Sequence, residues 1–133
     1  MKTYVLDASA LLRYFQLEPG ADRVERLLED SRRGYVTLLM SVVNLGEVFY
    51  RIWQDLDEIA ARKTLAGITQ LPLLPTAVDL EQSLKAGEIK VRHKIPYVDC
   101  IAASLTTLRN ATLVTSDDDF AKLGRNFPIL WLS

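Results

Sequence analysis

Carboxylates are the side chains in this sequence that are best placed to do chemistry. The chain has one histidine, His93, and one cysteine, Cys100, so it offers neither a histidine pair for acid-base catalysis nor a zinc site of the Cys/His type. Aspartates, by contrast, directly follow two predicted strands. Asp7 follows the apolar run at 4–6, and an acidic cluster of three consecutive aspartates at 117–119 follows the apolar run at 111–115.

Asp7 and the acidic cluster each have a structural interpretation beside the functional one. Ligands of open α/β sheets bind at the carboxyl ends of the strands, which favours a site at Asp7. An aspartate in this position can equally cap the following helix, and Asp7 taken alone supports both interpretations. Capping of a short helix after the acidic cluster needs only one aspartate, so two members of the cluster are left unexplained.

Asp99 stands in the first turn of a helix that Pro96 is well suited to begin. Residues 100–108 are without charged side chains, a pattern that predicts a helix buried on most sides. A carboxylate in such a dry place needs a donor or a cation, because an uncompensated buried charge is costly. A functional role for Asp99 is therefore favoured over a structural one.

Clustered carboxylates imply a cation because they repel one another. At about 4 Å and an effective dielectric constant of about 20, each pair costs on the order of 4 kcal/mol. Oxygen ligands select hard ions such as Mg²⁺ or Mn²⁺, which also bind phosphate groups. The pattern therefore predicts metal-dependent chemistry on phosphates.

The elements that must position these acids alternate between strands and helices. Short apolar runs alternate with longer stretches whose apolar residues recur at helical spacing. This alternation predicts an α/β fold with a central, mostly parallel sheet of four or five strands flanked by helices. Predicted strands cover 4–6, 35–40, 71–75, 111–115 and 129–132, and predicted helices cover 8–14, 22–33, 42–55, 57–68, 78–91, 96–108 and 120–124.

The composition fits one compact domain over residues 1–133. Apolar residues make up 49% and charged residues 25% of the chain, which is typical of a folded protein. The lone cysteine excludes an internal disulfide, no apolar run is long enough for a membrane span, and no secretory signal begins the chain, so we expect a cytoplasmic protein. The formal net charge of -1 provides no global positive field, so nucleic-acid binding would need a local basic patch.

Four blocks of the sequence, in this order, resemble the motifs of the PIN-domain ribonucleases, and most closely those of the VapC-type toxins of bacterial and archaeal toxin-antitoxin pairs. Each block alone is a weak signal, whereas the four together are fairly specific and span nearly the whole chain. The blocks are Val5-Leu6-Asp7-Ala8-Ser9-Ala10-Leu11, Ser41-Val42-Val43-Asn44-Leu45-Gly46-Glu47-Val48, Pro96-Tyr97-Val98-Asp99-Cys100-Ile101-Ala102-Ala103 and Leu113-Val114-Thr115-Ser116-Asp117-Asp118-Asp119-Phe120.

The resemblance implies roles for particular residues. On its own helix, Glu47 belongs to the polar face, and only the family pattern turns it toward the site. Asp118 is expected to be exposed. The implied catalytic quartet is Asp7, Glu47, Asp99 and Asp117, whose three aspartates would hold the metal, with Ser9 and Thr115 as hydroxyl partners and Asp119 as an accessory acid.

The activity implied by the resemblance is hydrolysis of RNA phosphodiesters with one or two Mg²⁺ or Mn²⁺ ions, which activate water for in-line attack. A homodimer and a small antitoxin protein, whose tail covers the site, are implied as well. The wide apolar sector of the helix at 42–55, around Trp53, is where we expect one of these contacts. Since acids and RNA repel each other, basic side chains at the rim must draw the substrate. The candidates are Lys90, Arg92, His93 and Lys94, followed by Arg51.

Two other functions compete with this one. The haloacid dehalogenase-like phosphatases also use an aspartate after the first strand, as a nucleophile. They need a second aspartate two residues later, where this chain has Ser9. A PIN-like module that only binds RNA or a partner is the non-catalytic alternative, and the presence of all four acids counts against it.

Overall fold

The architecture is a five-stranded sheet with helices on both faces, as seen in a computed structural model in which residues 1–132 are described. Within these residues, no helix is both long and apolar enough to cross a lipid bilayer. The elements in chain order are β1 (Lys2–Leu6), α1 (Ala8–Gln16), α2 (Ala21–Arg32), β2 (Val36–Ser41), α3 (Val42–Asp55), α4 (Glu58–Ile68), β3 (Leu74–Thr76), α5 (Leu80–His93), α6 (Tyr97–Leu108), β4 (Thr112–Thr115), a 3-10 helix (Asp118–Leu123) and β5 (Ile129–Trp131).

The strands lie in the order β3-β2-β1-β4-β5, and every pair is parallel. This confirms the predicted α/β class and the parallel sheet. The chain moves outward from β1 through β2 to β3, then crosses to the other side of β1 to form β4 and β5. The order of strands therefore reverses between β1 and β4, and the carboxyl ends of these two strands border the crevice in which such sheets bind ligands.

Both faces of the sheet are covered because its central strands are apolar on both faces. Neighbouring residues of a strand point to opposite sides. Leu6 and Val114 join one core with residues of α1 to α4, whereas Val5 and Leu113 join a second core with residues of α5 and α6. The near-continuous apolar runs of the sequence thus correspond to strands buried on both sides.

The edge strand β3 is shorter than the sequence predicts. It begins at Leu74 rather than at position 71. Residues 71–73 form a turn instead, in which Leu73 N donates to Leu71 O at 2.8 Å and Ser31 Oγ donates to Pro72 O at 2.7 Å. Proline has no N–H to give to a ladder, so a short edge strand suits this segment.

Part of the wide apolar sector of α3 is covered from within the chain. Val48 and Ile52 are buried, and α4 packs along α3. Trp53 keeps 41% of its surface exposed and makes an edge contact with Phe49 at 5.7 Å between ring centroids. The guanidinium of Arg62 lies 5.9 Å from the Trp53 ring. The breadth of the sector thus reflects, in part, the contact between two helices of the same chain.

Candidate active site

Asp7 combines the two roles that the sequence left open. It is the N-cap of α1, because its Oδ1 accepts from Ala10 N at 3.0 Å. Oδ1 also accepts from Ser9 Oγ at 2.7 Å, and Oδ2 accepts from Thr115 Oγ1 at 2.6 Å. The carboxylate is 4% exposed. Burial raises the pKa of Asp7 to about 6, despite the opposing effect of these hydrogen bonds.

The two hydroxyl groups form a bridge between the ends of β1 and β4. Ser9 Oγ and Thr115 Oγ1 are 3.1 Å apart. Asp117 N donates to Thr115 Oγ1 at 2.9 Å, and Ser116 N donates to Ser9 Oγ at 3.0 Å. Each hydroxyl therefore connects Asp7 to the backbone that carries the acidic cluster, and the orientation of the carboxylates depends on this bridge.

Asp99 enters the same space from the first turn of α6. Residues 100–106 behind it are buried, and Asp99 itself is 7% exposed. Burial, followed by the charges of Asp117, Asp7, Glu47 and Asp119, raises the pKa of Asp99 to about 7. A carboxyl group so affected by four others is a direct sign that the acids converge.

The acidic cluster contributes two of its three members to the site. One carboxylate oxygen from each of Asp99, Asp117 and Asp119 lies within 4.8 Å of the others. Asp117 also caps the 3-10 helix, since its Oδ1 accepts from Asp119 N at 2.9 Å. Asp118 points away and is exposed, as expected.

Glu47 lies on α3 beside the acids, with 16% of its side-chain surface exposed. Its Oε2 lies 3.7 Å from Arg51 Nη1. Burial raises the pKa of Glu47, whereas a hydrogen bond from Asn44 and the charge of Arg51 oppose that rise. Asn44 is 1% exposed and its Oδ1 is without a hydrogen-bond partner within residues 1–132. The sequence placed Asn44 and Glu47 on one helical face, yet the contribution of Asn44 was missed.

The donor set fits a hard divalent cation. The converging ligand atoms are carboxylate oxygens, which Mg²⁺ and Mn²⁺ prefer. Their mutual repulsion and the raised pKa values of Asp7 and Asp99 mark a site that is short of positive charge. The geometric group is Asp99, Asp117 and Asp119, whereas the family pattern predicts Asp7, Asp99 and Asp117. The catalytic and metal-binding roles of these residues stay predictions.

The basic run at the end of α5 is engaged in contacts of its own. Lys90 Nζ donates to Ile95 O at 2.8 Å. Arg92 Nε lies 3.3 Å from Glu88 Oε1, and His93 Nδ1 lies 3.2 Å from Lys122 O. Lys94 is the left-handed residue that ends α5. Contact with RNA stays a prediction for all five basic candidates, which are Lys90, Arg92, His93, Lys94 and Arg51.

Comparison with known proteins shows the family to which this chain belongs. The sequence-family model of the PIN domain matches residues 4–126 of this chain. The structure of VapBC2 from Rickettsia felis, bound to a promoter DNA fragment, is similar to this chain at 20% identity and a TM-score of 0.79, over 98% of this chain and 99% of that one. DNA-bound VapBC from Salmonella typhimurium is similar at 16% identity and a TM-score of 0.75, over 100% of both chains. No curated protein matches the sequence.

VapC20 of Mycobacterium tuberculosis, described as a sarcin-ricin loop cleaving toxin, is a further structure of this kind. It is 18% identical, with a TM-score of 0.72, over 91% of this chain and 95% of that one. The match over residues 4–126 shows that the chain belongs to the PIN domain family. Its fold is that of the VapC-like members, so the resemblance predicted from the four sequence blocks is confirmed.

Proposed function

We propose that this protein is an endoribonuclease that hydrolyses RNA phosphodiester bonds with the help of Mg²⁺ or Mn²⁺, and that it is the toxin of a toxin-antitoxin pair. The observation that carries the proposal is the close group of Asp99, Asp117 and Asp119, with Asp7 near enough to raise the pKa of Asp99. Membership of the PIN domain family supports it. So does the similarity to a structure described as an RNA-cleaving toxin.

The residues that would hold the cation are Asp99 and Asp117, together with Asp7 or Asp119. A bound divalent cation would supply charge neutralisation and polarisation of the phosphate and of the attacking water. The chain itself supplies orientation: three hydrogen bonds hold the Asp7 carboxylate. Glu47, with its raised pKa and largely buried side chain, would accept a proton from water.

Protonation of the acids competes with the cation. Asp7 and Asp99 have pKa values of about 6 and about 7, and metal ligands must be deprotonated to bind. Affinity for the cation is therefore expected to rise as the pH rises through this range. Cleavage should follow the same profile.

The test is cleavage of a mixed pool of structured and single-stranded RNA by purified protein with Mn²⁺ or Mg²⁺, against EDTA. Asp99→Asn keeps the shape of the side chain and removes its charge, so we expect activity to fall by at least about 100-fold. Asp118→Asn is the matched control, because Asp118 is exposed. Wild-type cleavage that survives EDTA, or an Asp99→Asn protein as active as the control, would contradict the proposal.

If the protein does not cleave RNA, the same assay can distinguish a phosphatase from a binding module. A generic phosphomonoester is included in the same assay, because a phosphatase would hydrolyse it and leave RNA intact. A binding module is indicated if the wild type and Asp99→Asn behave alike on both substrates, with and without metal.

A small antitoxin protein is the partner that the comparisons support. Several similar structures are VapBC complexes. We propose that the antitoxin covers the acidic crevice, where one of its basic side chains would neutralise the carboxylates. Co-expression with the product of a short neighbouring reading frame, followed by co-purification and inhibition of RNA cleavage, tests this partner.

A homodimer is the second proposed assembly. The helix α5 presents Leu80, Leu84 and Val91, exposed by 73%, 66% and 79%, within about 40° of arc. An exposed apolar stripe of this kind is typical of a contact surface. Replacement of Leu84 by Glu should convert the dimer to a monomer in light scattering, whereas replacement of the exposed Glu81 by Gln should leave it unchanged.

A further inference from the structure

A polar cavity of about 210 Å³ lies beside the acidic crevice. Its lining comes from three places in the fold that the sheet order brings together. Ser9, Arg13 and Gln16 line it from α1, Arg51 and Asp55 line it from α3, and Ser116 lines it from the end of β4. We call this cavity the arginine pocket.

Helical spacing explains why one side of the arginine pocket is continuous. Ser9, Arg13 and Gln16 are separated by four and three residues, so they lie on one face of α1 and extend over about 10 Å. Arg51 and Asp55 are likewise four residues apart on α3. The two helix faces line the pocket together with Ser116, which follows β4.

The inner end of the arginine pocket is part of the acid site. Ser9 Oγ donates to Asp7 Oδ1 at 2.7 Å, and Ser116 N donates to Ser9 Oγ at 3.0 Å. Arg51 Nη1 lies 3.7 Å from Glu47 Oε2. An RNA cut at the acids would therefore have a neighbouring nucleotide within reach of these groups.

The side chains of the arginine pocket match the groups of a nucleotide. Arg13 and Arg51 are guanidinium groups, which bind phosphate through planar pairs of donors. Arg13 uses Nη1 to donate to Pro19 O at 2.9 Å, and a guanidinium has five donors in all. Gln16 and Asp55 add an amide and a carboxylate, the groups that read base edges. Glu18 also lines the pocket, so the pocket is not a general anion trap.

The size of the arginine pocket limits its ligand. Its volume corresponds to about seven water molecules at about 30 Å³ each. That space can hold a phosphate group and part of its nucleotide, and it is too small for a helix of a partner protein.

We propose that the arginine pocket binds the nucleotide next to the cleaved bond, with its phosphate on Arg13 and Arg51 and its base toward Gln16 and Asp55. The proposal rests on the proposed ribonuclease function, and it assigns part of the substrate selection to α1 and α3. In the sequence, Arg13 stands four residues after Ser9, but the motif around Asp7 alone does not single out Arg13.

The test measures RNA binding separately from cleavage. A labelled single-stranded RNA is titrated by fluorescence anisotropy into Asp99→Asn protein, alone and combined with Arg13→Gln, Gln16→Ala or Arg33→Gln. Arg33 is the matched control, since its side chain is 62% exposed and pairs with Glu29. We expect Arg13→Gln to raise Kd about tenfold, the effect of one charge-assisted contact, and Arg33→Gln to leave it unchanged.

Two further readouts separate a phosphate contact from a loss of structure. The slope of log Kd against log salt should fall by about 0.7 in Arg13→Gln, the value for one phosphate of a single strand. Gln16 is the last residue of α1 and serves as the second variant: Gln16→Ala should weaken binding while the melting temperature is unchanged. Asp55→Asn in the active protein should alter base preference at one position of the cleaved RNA.

The outcomes are distinct for the two proposals. Equal Kd values for Arg13→Gln, Gln16→Ala and Arg33→Gln overturn the arginine pocket, even if the wild type cleaves RNA. Unchanged RNA binding together with weakened antitoxin binding overturns it as well and makes the cavity a protein contact. If the wild type fails to cleave RNA while the variants show the expected Kd values, the ribonuclease function fails and the arginine pocket stands as an RNA-binding site alone.

Discussion

Replacement of Asp7 by Asn tests the electrostatics of the site through protein stability. Burial raises the pKa of Asp7 from 3.8 to about 6, so the charged form is disfavoured in the folded state. The protonated Asp7 side chain therefore stabilises the folded state fully below pH 3.8, and this contribution is lost as the pH rises through 6. Two pH units correspond to about 3 kcal/mol of unfolding free energy.

Asn keeps most of the local contacts and removes the charge. Its side-chain oxygen can accept from Ala10 N and Ser9 Oγ as Asp7 does, and Asn caps helices as well as Asp. The hydrogen bond from Thr115 Oγ1 to Oδ2 must rearrange, at a cost of about 1 kcal/mol. In metal-free protein at pH 8, Asp7→Asn should therefore be more stable than the wild type by about 2 kcal/mol.

The assay is urea denaturation in EDTA at several values between pH 4 and pH 8. The stability difference between Asp7→Asn and the wild type should be near zero or slightly negative at the acidic end and grow through pH 6. Asp118→Asn should show no such trend. An Asp7→Asn protein that is less stable than the wild type at pH 8 would refute the reasoning, because the folded state would then favour the Asp7 anion.

The other predictions concern single contacts and the cation. Thr115→Val removes the donor to Asp7 and the acceptor of Asp117 N, so urea denaturation should show a loss of about 1 to 3 kcal/mol; an unchanged midpoint would contradict this. Asn44→Ala should raise the pKa of Glu47 further, because the Asn44 hydrogen bond lowers it; carboxyl NMR titration measures the shift. Gly20→Ala should destabilise the fold by about 1 to 3 kcal/mol, since φ is 97° and a Cβ would lie 2.5 Å from a backbone oxygen; thermal melting checks it. Mn²⁺ at 100 times its Kd should add about 2.7 kcal/mol of stability at pH 8, and calorimetry should show weaker binding below pH 6.

The fold was largely readable from the sequence because its signals are local. Apolar runs such as Tyr4 to Leu6 mark strands buried on both faces, and the uncharged stretch after Asp99 marks a buried helix. Each depends on residues within a few positions of one another. The ends of β3 were less readable, because a turn stabilised by Ser31 on a distant helix replaces residues that have strand-like composition.

The acids of the candidate site were predicted as a group, and only the family resemblance added Glu47 to that group. Sequence alone placed Asp7, Asp99 and the acidic cluster at strand or helix ends, and it left Glu47 on a polar face. Membership of Asp119 in the close group follows from the 3-10 turn that Asp117 caps. The contacts of Lys90 and Arg92 are local, to Ile95 and to Glu88, whereas the contact of His93 with Lys122 O depends on how α5 meets the 3-10 helix.

The sequence by itself determined which residues can act and on which elements they stand, because propensity, capping and hydrophobic period act over one or two turns of chain. The tertiary structure alone decided which of them meet. Thr115 reaches Asp7 across 108 positions, and Ser9 and Ser116 share one cavity with Arg51, only because β4 lies beside β1 while β2 lies on its other side. Strand order is set by the burial of apolar surface over the whole sheet, and this burial cannot be read from any short segment of the sequence.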